Sequence, residues 1–184
     1  MLNACNPECS GTVGVKLLKV SPPVAPTFGG VAGADNICRA NFGTSYKAVI
    51  ADGSYRVANG AGTTLIYPLF QTDWVLKKYT MYRNDGNKDV FLTDAGALLG
   101  IRNGVHVDLL NSIYGYSAGD LLDAWSGTGR DWDTALQNCS LFTTTDPGST
   151  SGWIALYVTG ASEFPTNNAF YRCDYQAHIL CAQQ

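Results

Sequence analysis

The chain carries two imidazoles, His106 and His178, and schemes built on a histidine base, a histidine-activated nucleophile or a histidine zinc ligand must start from them. Neither has the neighbours such chemistry needs. The sequence contains no G-x-S-x-G elbow and no H-E-x-x-H pair, and His178 falls in an apolar terminal segment where a hydrogen-bonded structural histidine is expected. Carboxylates pair at Asp131 and Asp133 and at Asp120 and Asp123, while Asp52, Asp73 and Glu163 stand singly. An acid–base pair of the glycosidase kind needs two such groups facing one bond, but turns and caps use the same residues. Asp131 and Asp133 lack the further ligands and the closing glutamate of a calcium loop. Gly127-Thr128-Gly129 lacks the third glycine and the following helix of a phosphate cradle. The Asn138-Cys139-Ser140 triplet has the form of a glycosylation acceptor, with a cysteine expected to be bonded at its centre. No enzymatic activity and no cofactor are expected.

The six cysteines, Cys5, Cys9, Cys38, Cys139, Cys173 and Cys181, show none of the C-x-x-C spacing of structural zinc sites or thioredoxin-like motifs. An oxidising compartment and a disulfide framework are the better reading. Spacing alone leaves the connectivity open, although a close early pair and four scattered cysteines favour one local clip and two long-range staples. The chain has 184 residues, 46% hydrophobic and 15% charged, with a net charge of -3. Such a balance offers no excess of cations to release phosphate counterions or to hold an anionic membrane, so nucleic acid is not an expected partner. At this length folding buries roughly 70% of the unfolded surface, so one ordered domain with a full core is expected. No run reaches the roughly 20 apolar residues of a membrane span. The amino end shows neither a basic n-region nor an apolar h-region, so a signal segment is not expected within these residues.

Two parts are expected along the chain, residues 1–28 and residues 29–184. The first holds Cys5 and Cys9, an alternating stretch in which Val13, Val15, Leu17 and Val20 suit an edge strand, and the stiff connector Ser21-Pro22-Pro23-Val24-Ala25-Pro26. From Gly29 to Phe42, Val31, Ala34, Ile37, Cys38 and Asn41 recur at helical spacing, which predicts an amphipathic helix with one inward cysteine. Tyr46–Ala51 reads as a strand ended by Asp52-Gly53, and Asp73–Arg83 as a strand or hairpin arm closed by Asn84-Asp85-Gly86. Glycines punctuate residues 90–123, where long loops are expected. Trp125–Trp132, Trp153–Val158 and Ala177–Ala182 read as a strand and turn, a buried strand and a terminal strand. No internal repeat or low-complexity tract occurs. Short strands with one early helix predict an α+β domain.

Of the tryptophans, Trp74, Trp125 and Trp153 sit in strand contexts that predict core positions, while Trp132, beside Arg130 and Asp131, is the one expected at the surface. Cations gather at Lys77, Lys78, Arg83 and Lys88, as a solvated strand face or as a patch for acidic partners.

Three segments taken together are more specific than any alone: Gly33-Ala34-Asp35-Asn36-Ile37-Cys38 followed by Tyr46-Lys47-Ala48-Val49-Ile50; Trp125-Ser126-Gly127 with Asp131-Trp132 and Asn138-Cys139; and Cys173 with His178-Ile179-Leu180-Cys181. Over residues 29–184 the chain resembles the leptospiral endostatin-like surface proteins, which are built on the C-type-lectin-like fold. The resemblance implies short, mostly antiparallel strands, long loops, and disulfides joining Cys38 to Cys181 and Cys139 to Cys173. Cys5 and Cys9 would then clip the amino-terminal segment. A second reading of Leu2-Asn3-Ala4-Cys5 is a relaxed lipoprotein processing site, because the family implies a lipid anchor, here on Cys5. The chain departs from calcium-dependent lectins, reading Glu163-Phe164-Pro165-Thr166-Asn167-Asn168 and Cys173-Asp174-Tyr175 where their calcium motifs stand. It also lacks the amino-terminal histidine cluster of endostatin's zinc site.

The function this implies is recognition: a secreted or outer-surface bacterial adhesin for the matrix proteins laminin and fibronectin, with plasminogen or the complement regulator factor H as further partners. Arg130, Asp131 and Trp132 with Lys77, Lys78, Arg83 and Lys88 are the expected contacts, since aromatic and Arg side chains on scaffolded loops supply most contact energy. The alternative is a calcium-independent carbohydrate-binding module that stacks a sugar on Trp132, Tyr114 or Tyr116.

Overall fold

A computed structural model describes residues 14–58, 71–98, 101–102, 105–106, 110–111, 124–128, 132, 139–146, 151–154 and 169–184. Its elements run β1 (Gly14–Val20), α1 (Gly30–Phe42), β2 (Tyr46–Ala48), β3 (Thr80–Arg83), β4 (Asp89–Leu92), β5 (Ile101–Arg102), β6 (Val105–His106), β7 (Ala124–Trp125), β8 (Ser151–Ile154), β9 (Ala169–Arg172) and β10 (His178–Gln183). Among the described residues these make one eight-stranded sheet, ordered β4-β3-β1-β10-β7-β8-β9 with β2 also paired to β10, and a separate β5-β6 ribbon. The mixed α+β architecture expected from the sequence is present. Antiparallel pairs dominate it, and the parallel pairs are β1 with β3 and β10 with β7.

The apolar stretch before the prolines is not an edge strand. β1 lies inside the sheet, between β3 and β10, with Leu18 opposite Ala182 and Val20 opposite Leu180. It is inside because apolar side chains lie on both of its faces: Leu18 and Val20 join one core cluster while Leu17 packs on the other. Val15, one of the residues read as suiting a strand, is exposed. Residues 14–20 thus belong to the same sheet as the chain beyond residue 28. The connector then runs back along β10, where Val24 and Ala177 exchange backbone hydrogen bonds of 2.8 and 3.1 Å and the Trp125 indole N–H donates to the Val24 carbonyl at 2.9 Å.

Side-chain alternation in the central strands builds two cores, one on each face of the sheet. On β10, Leu180 and Ala182 face one core, while Ile179 and Cys181 face the other. The segment from β2 onward divides alike, Val49 and Ala51 against Ala48 and Ile50. The first core is filled from beyond the strands by Trp74, Val75, Leu76, Leu98 and Trp132, with Trp74 and Trp132 edge-on at 5.5 Å and Tyr82 against Phe91 at 5.1 Å. Burial pushes the Tyr82 phenol up to about 12. The second core is covered by α1.

The helix spans the residues its periodicity predicts, with one exchange on the inward face. Val31, Ala34 and Cys38 are buried as expected, but Asp35 is buried with them and Asn41 is exposed. Asn41 instead donates to the Ile37 carbonyl, which satisfies it at the surface. Gly33 is required where the chain enters: a Cβ there would stand 1.4 Å from the Phe28 carbonyl oxygen. Two disulfides pin this layer, Cys38–Cys181 from α1 to β10 and Cys139–Cys173 from the Cys139–Phe142 turn to the chain after β9. These are the two long-range pairs that the resemblance implies. Cys5 and Cys9, whether clipped or lipidated, lie outside the described residues.

Candidate functional site

Asp35 is buried on α1 because a cation meets it there. The Arg56 side chain has 0% exposure, and its Nη1 and Nη2 donate to Asp35 Oδ1 and Oδ2 at 2.9 and 2.8 Å. Nη2 also reaches Asp73 Oδ2 at 2.6 Å, Nε the Asp73 carbonyl at 3.0 Å, and Nη1 the Ala48 carbonyl at 2.9 Å. All five guanidinium N–H groups are therefore engaged. Asp35 Oδ1 accepts the Ala48 amide as well, at 2.9 Å, which ties helix to sheet. Lys47 Nζ completes the cluster at 2.8 Å from Asp73 Oδ1.

Arg56 reaches this position because Asp52 turns the chain. Asp52 Oδ1 accepts the backbone N–H groups of Ser54, Tyr55 and Arg56 at 2.9, 2.8 and 3.0 Å, an Asp-led turn that leaves Tyr55 outside and Arg56 inside. Charge reinforces the arrangement. Burial disfavours a charged guanidinium, but the hydrogen bonds and charges of Asp35 and Asp73 outweigh it and hold Arg56 above its usual range. Burial likewise raises Asp73, yet its bonds to Lys47 and Arg56 prevail and hold its carboxyl below the ordinary carboxylate range.

Above this cluster opens a cleft of about 520 Å³. The first turn of α1 (Gly30, Val31, Ala32), the 52–56 turn, Asp73, Leu141 and Thr143 line it. The wall that bears Leu141 is the Cys139–Phe142 turn, which has positive φ at all four residues, 52°, 53°, 59° and 59°. Left-handed backbone is costly for L-residues, and several contacts hold it here. Cys139 is bonded to Cys173, the Phe142 ring stacks on Phe28 at 5.3 Å, and the Phe142 carbonyl accepts the Gly29 N–H at 3.3 Å.

Of the residues singled out from sequence, the carboxylates Asp52 and Asp73 meet at this cleft, while the expected contact residues do not converge here. Trp132, expected at the surface, is 2% exposed and packs on Trp74 in the first core. That expectation is corrected: an indole flanked by charged residues in sequence is drawn inward by an aromatic partner. Arg130, Asp131, Asp133, Asp120, Asp123, Glu163, Tyr114 and Tyr116 lie outside the described residues. The expected cationic face is divided, with Lys77 and Lys78 before β3 and Lys88 after it, separated by a strand of roughly 13 Å. Arg83 pairs with Asp89 at 2.6 Å, leaving Lys77, Lys78 and Lys88 exposed. His178 Nδ1 sits 2.6 Å from the Ser21 carbonyl oxygen, a structural contact between β10 and the connector. His106 falls on β6. Among the described residues no cluster of three or more His, Cys, Asp or Glu side chains is arranged to hold a metal.

Sequence reasoning missed Asp35, Arg56 and Tyr55. Asp35 was visible as a carboxylate one position from Ala34 and three from Cys38 on the inward stripe, which demands a buried cation as partner. Arg56 was legible only as an arginine following an Asp-Gly turn.

A family model described as "Protein of unknown function (DUF1554)" matches residues 23–158, from the connector through β8. No curated protein matches the chain. The match covers most of the sequence, including α1, the Arg56 turn and the Cys139–Phe142 wall, and the chain belongs to this DUF1554 family.

Proposed function

We propose that the protein is a non-catalytic bacterial adhesin, secreted or displayed on the outer surface, on a C-type-lectin-like scaffold of the leptospiral endostatin-like kind. Its partners are the host matrix proteins laminin and fibronectin, with plasminogen or factor H as further ligands. The observation that carries this reading is the engagement of the cleft's charged floor: every Arg56 donor is bonded, and both Asp73 oxygens face cations. Such a floor shapes a surface without offering a group poised to transfer a proton. Pinned scaffolds of this kind carry recognition on the walls and loops around them. The exposed Lys77, Lys78 and Lys88 supply cations to an acidic partner.

Biosensor binding of the oxidised protein to immobilised laminin, fibronectin, plasminogen and factor H tests this, beside a reduced and alkylated control. Saturable binding that vanishes on reduction is expected. A fall in affinity with salt and with Lys77→Ala and Lys78→Ala would assign the contact to the cations. Failure to bind all four proteins would overturn the proposed partners.

A further inference from the structure

We infer that the cleft beside α1 is a subsite for one neutral sugar ring, bound without calcium; the inference rests on the recognition reading above and names what that site takes. Size is the first argument. At about 520 Å³ the cleft lies within the range of small-molecule sites, roughly 300–1,000 Å³.

The second argument is Tyr55. It is 73% exposed on the cleft's rim, held outside by the Asp52 turn rather than by packing of its own. An exposed aromatic face at the mouth of a mostly apolar cleft with a charged floor suits a ring that is apolar on its C–H face and polar at its edge. Leu141, 37% exposed, adds an apolar wall.

Charge balance chooses among ligands. Asp35 and Asp73 pair with Arg56 within the lining, Lys47 stands on Asp73, and Asp52 Oδ1 accepts the backbone N–H groups of its own turn. A ligand with full charge of either sign meets its like within the same small volume, and a wholly apolar one strips water from the Asp73 carboxylate, whose side chain is 47% exposed. Hydroxyl groups both donate and accept. A neutral polyol therefore gains from the half-exposed Asp73 oxygens without opposing the buried pairs. The floor is already rigid, so little ordering cost falls on binding.

The test titrates the full, oxidised chain by calorimetry in EDTA with free glucose, galactose, mannose, fucose, N-acetylglucosamine and N-acetylgalactosamine, and with glucosamine and glucuronate as charged analogues. At least one neutral sugar is expected to bind with a Kd of the order of 1 mM, the weak end of the affinity scale. Tyr55→Ala should weaken that binding roughly tenfold or more. Tyr175→Ala, an exposed tyrosine in the turn between β9 and β10, should leave it unchanged. No heat from any neutral sugar, preference for a charged analogue, or insensitivity to Tyr55→Ala would overturn the inference. Matrix binding is measured on the same preparations. If enzymatically deglycosylated laminin and fibronectin bind as the native proteins do and the sugars fail, the sugar subsite falls and the adhesin reading stands. If sugars bind and the native matrix proteins do not, the adhesin reading falls and the subsite stands.

Discussion

On the α1 side of the sheet, both disulfides and the Asp35–Arg56 pair lie within or against one layer of side chains. On the other side Trp74, Trp132, Tyr82 and Phe91 fill a layer that holds no cysteine among the described residues. The difference follows from the cleft. A layer opened to water forgoes apolar burial where it opens, so its elements must be fixed by covalent bonds and charge-assisted hydrogen bonds. A closed layer of large aromatic side chains is stabilised by burial and dispersion.

The sharpest test removes the covalent part. Cys38–Cys181 closes a separation of 143 residues, for which the chain-entropy account gives about 5 kcal/mol. A Cys38→Ser, Cys181→Ser variant should lose most of that in denaturant unfolding, and stability equal to wild type would show that packing alone holds α1. Next, Arg56→Ala leaves Asp35 buried without its cation and should cost about 3–5 kcal/mol. Combined with Asp35→Ala, the total should fall short of the sum of the singles, and strict additivity would mean the two carboxylate bonds are not coupled. On the aromatic side Trp132→Ala should cost about 3 kcal/mol through the cavity left beside Trp74. Its effect should add to that of Arg56→Ala, since the residues lie in different layers.

The smallest effect separates the layers by pH. The folded Asp73 carboxyl lies below its unfolded value of 3.8, so its contribution is complete above that pH and is lost as pH falls through the lower folded value. Asp73 is half exposed, so solvent screening keeps the effect modest. The folded Tyr82 phenol lies above its unfolded value of 10.0, so its contribution is complete below pH 10 and is lost as pH rises toward about 12. Unfolding midpoints against pH should therefore flatten at the acid end in Asp73→Asn and at the alkaline end in Tyr82→Phe. The opposite assignment would contradict the division of charge between the layers.

Periodicity made much of this legible. The helix over 30–42, the strands at Tyr46 and His178 and the hairpin closed by Asn84-Asp85-Gly86 all follow from local pattern and turn chemistry. Position in the sheet did not follow, because β1 pairs with β10 across more than 150 residues and nothing local encodes that partner. The short alternating stretch suited an edge strand, whereas the strand packs on both of its faces, Leu18 and Val20 on one and Leu17 on the other. Gly127 read as part of a strand and turn, of a failed phosphate motif and of the Trp125-Ser126-Gly127 segment, none of which says why a glycine stands there. Its φ is +63°, and a Cβ there would stand 1.9 Å from the Ala51 carbonyl oxygen, a close approach that a motif search does not see. The cleft was the least legible part: Asp35 on the inward stripe of α1 calls for a buried cation, but nothing local names Arg56 as that cation or places Tyr55 beside it until the Asp52 turn brings them together.

β10 pairs with β1, β2 and β7, and its Cys181 bonds to α1. During synthesis it leaves the ribosome after every other element described here. Neither core can close earlier, because each draws side chains from that strand. Both cores therefore remain open until β10 has emerged, and the dominant contacts form late and over long separations, which slows folding.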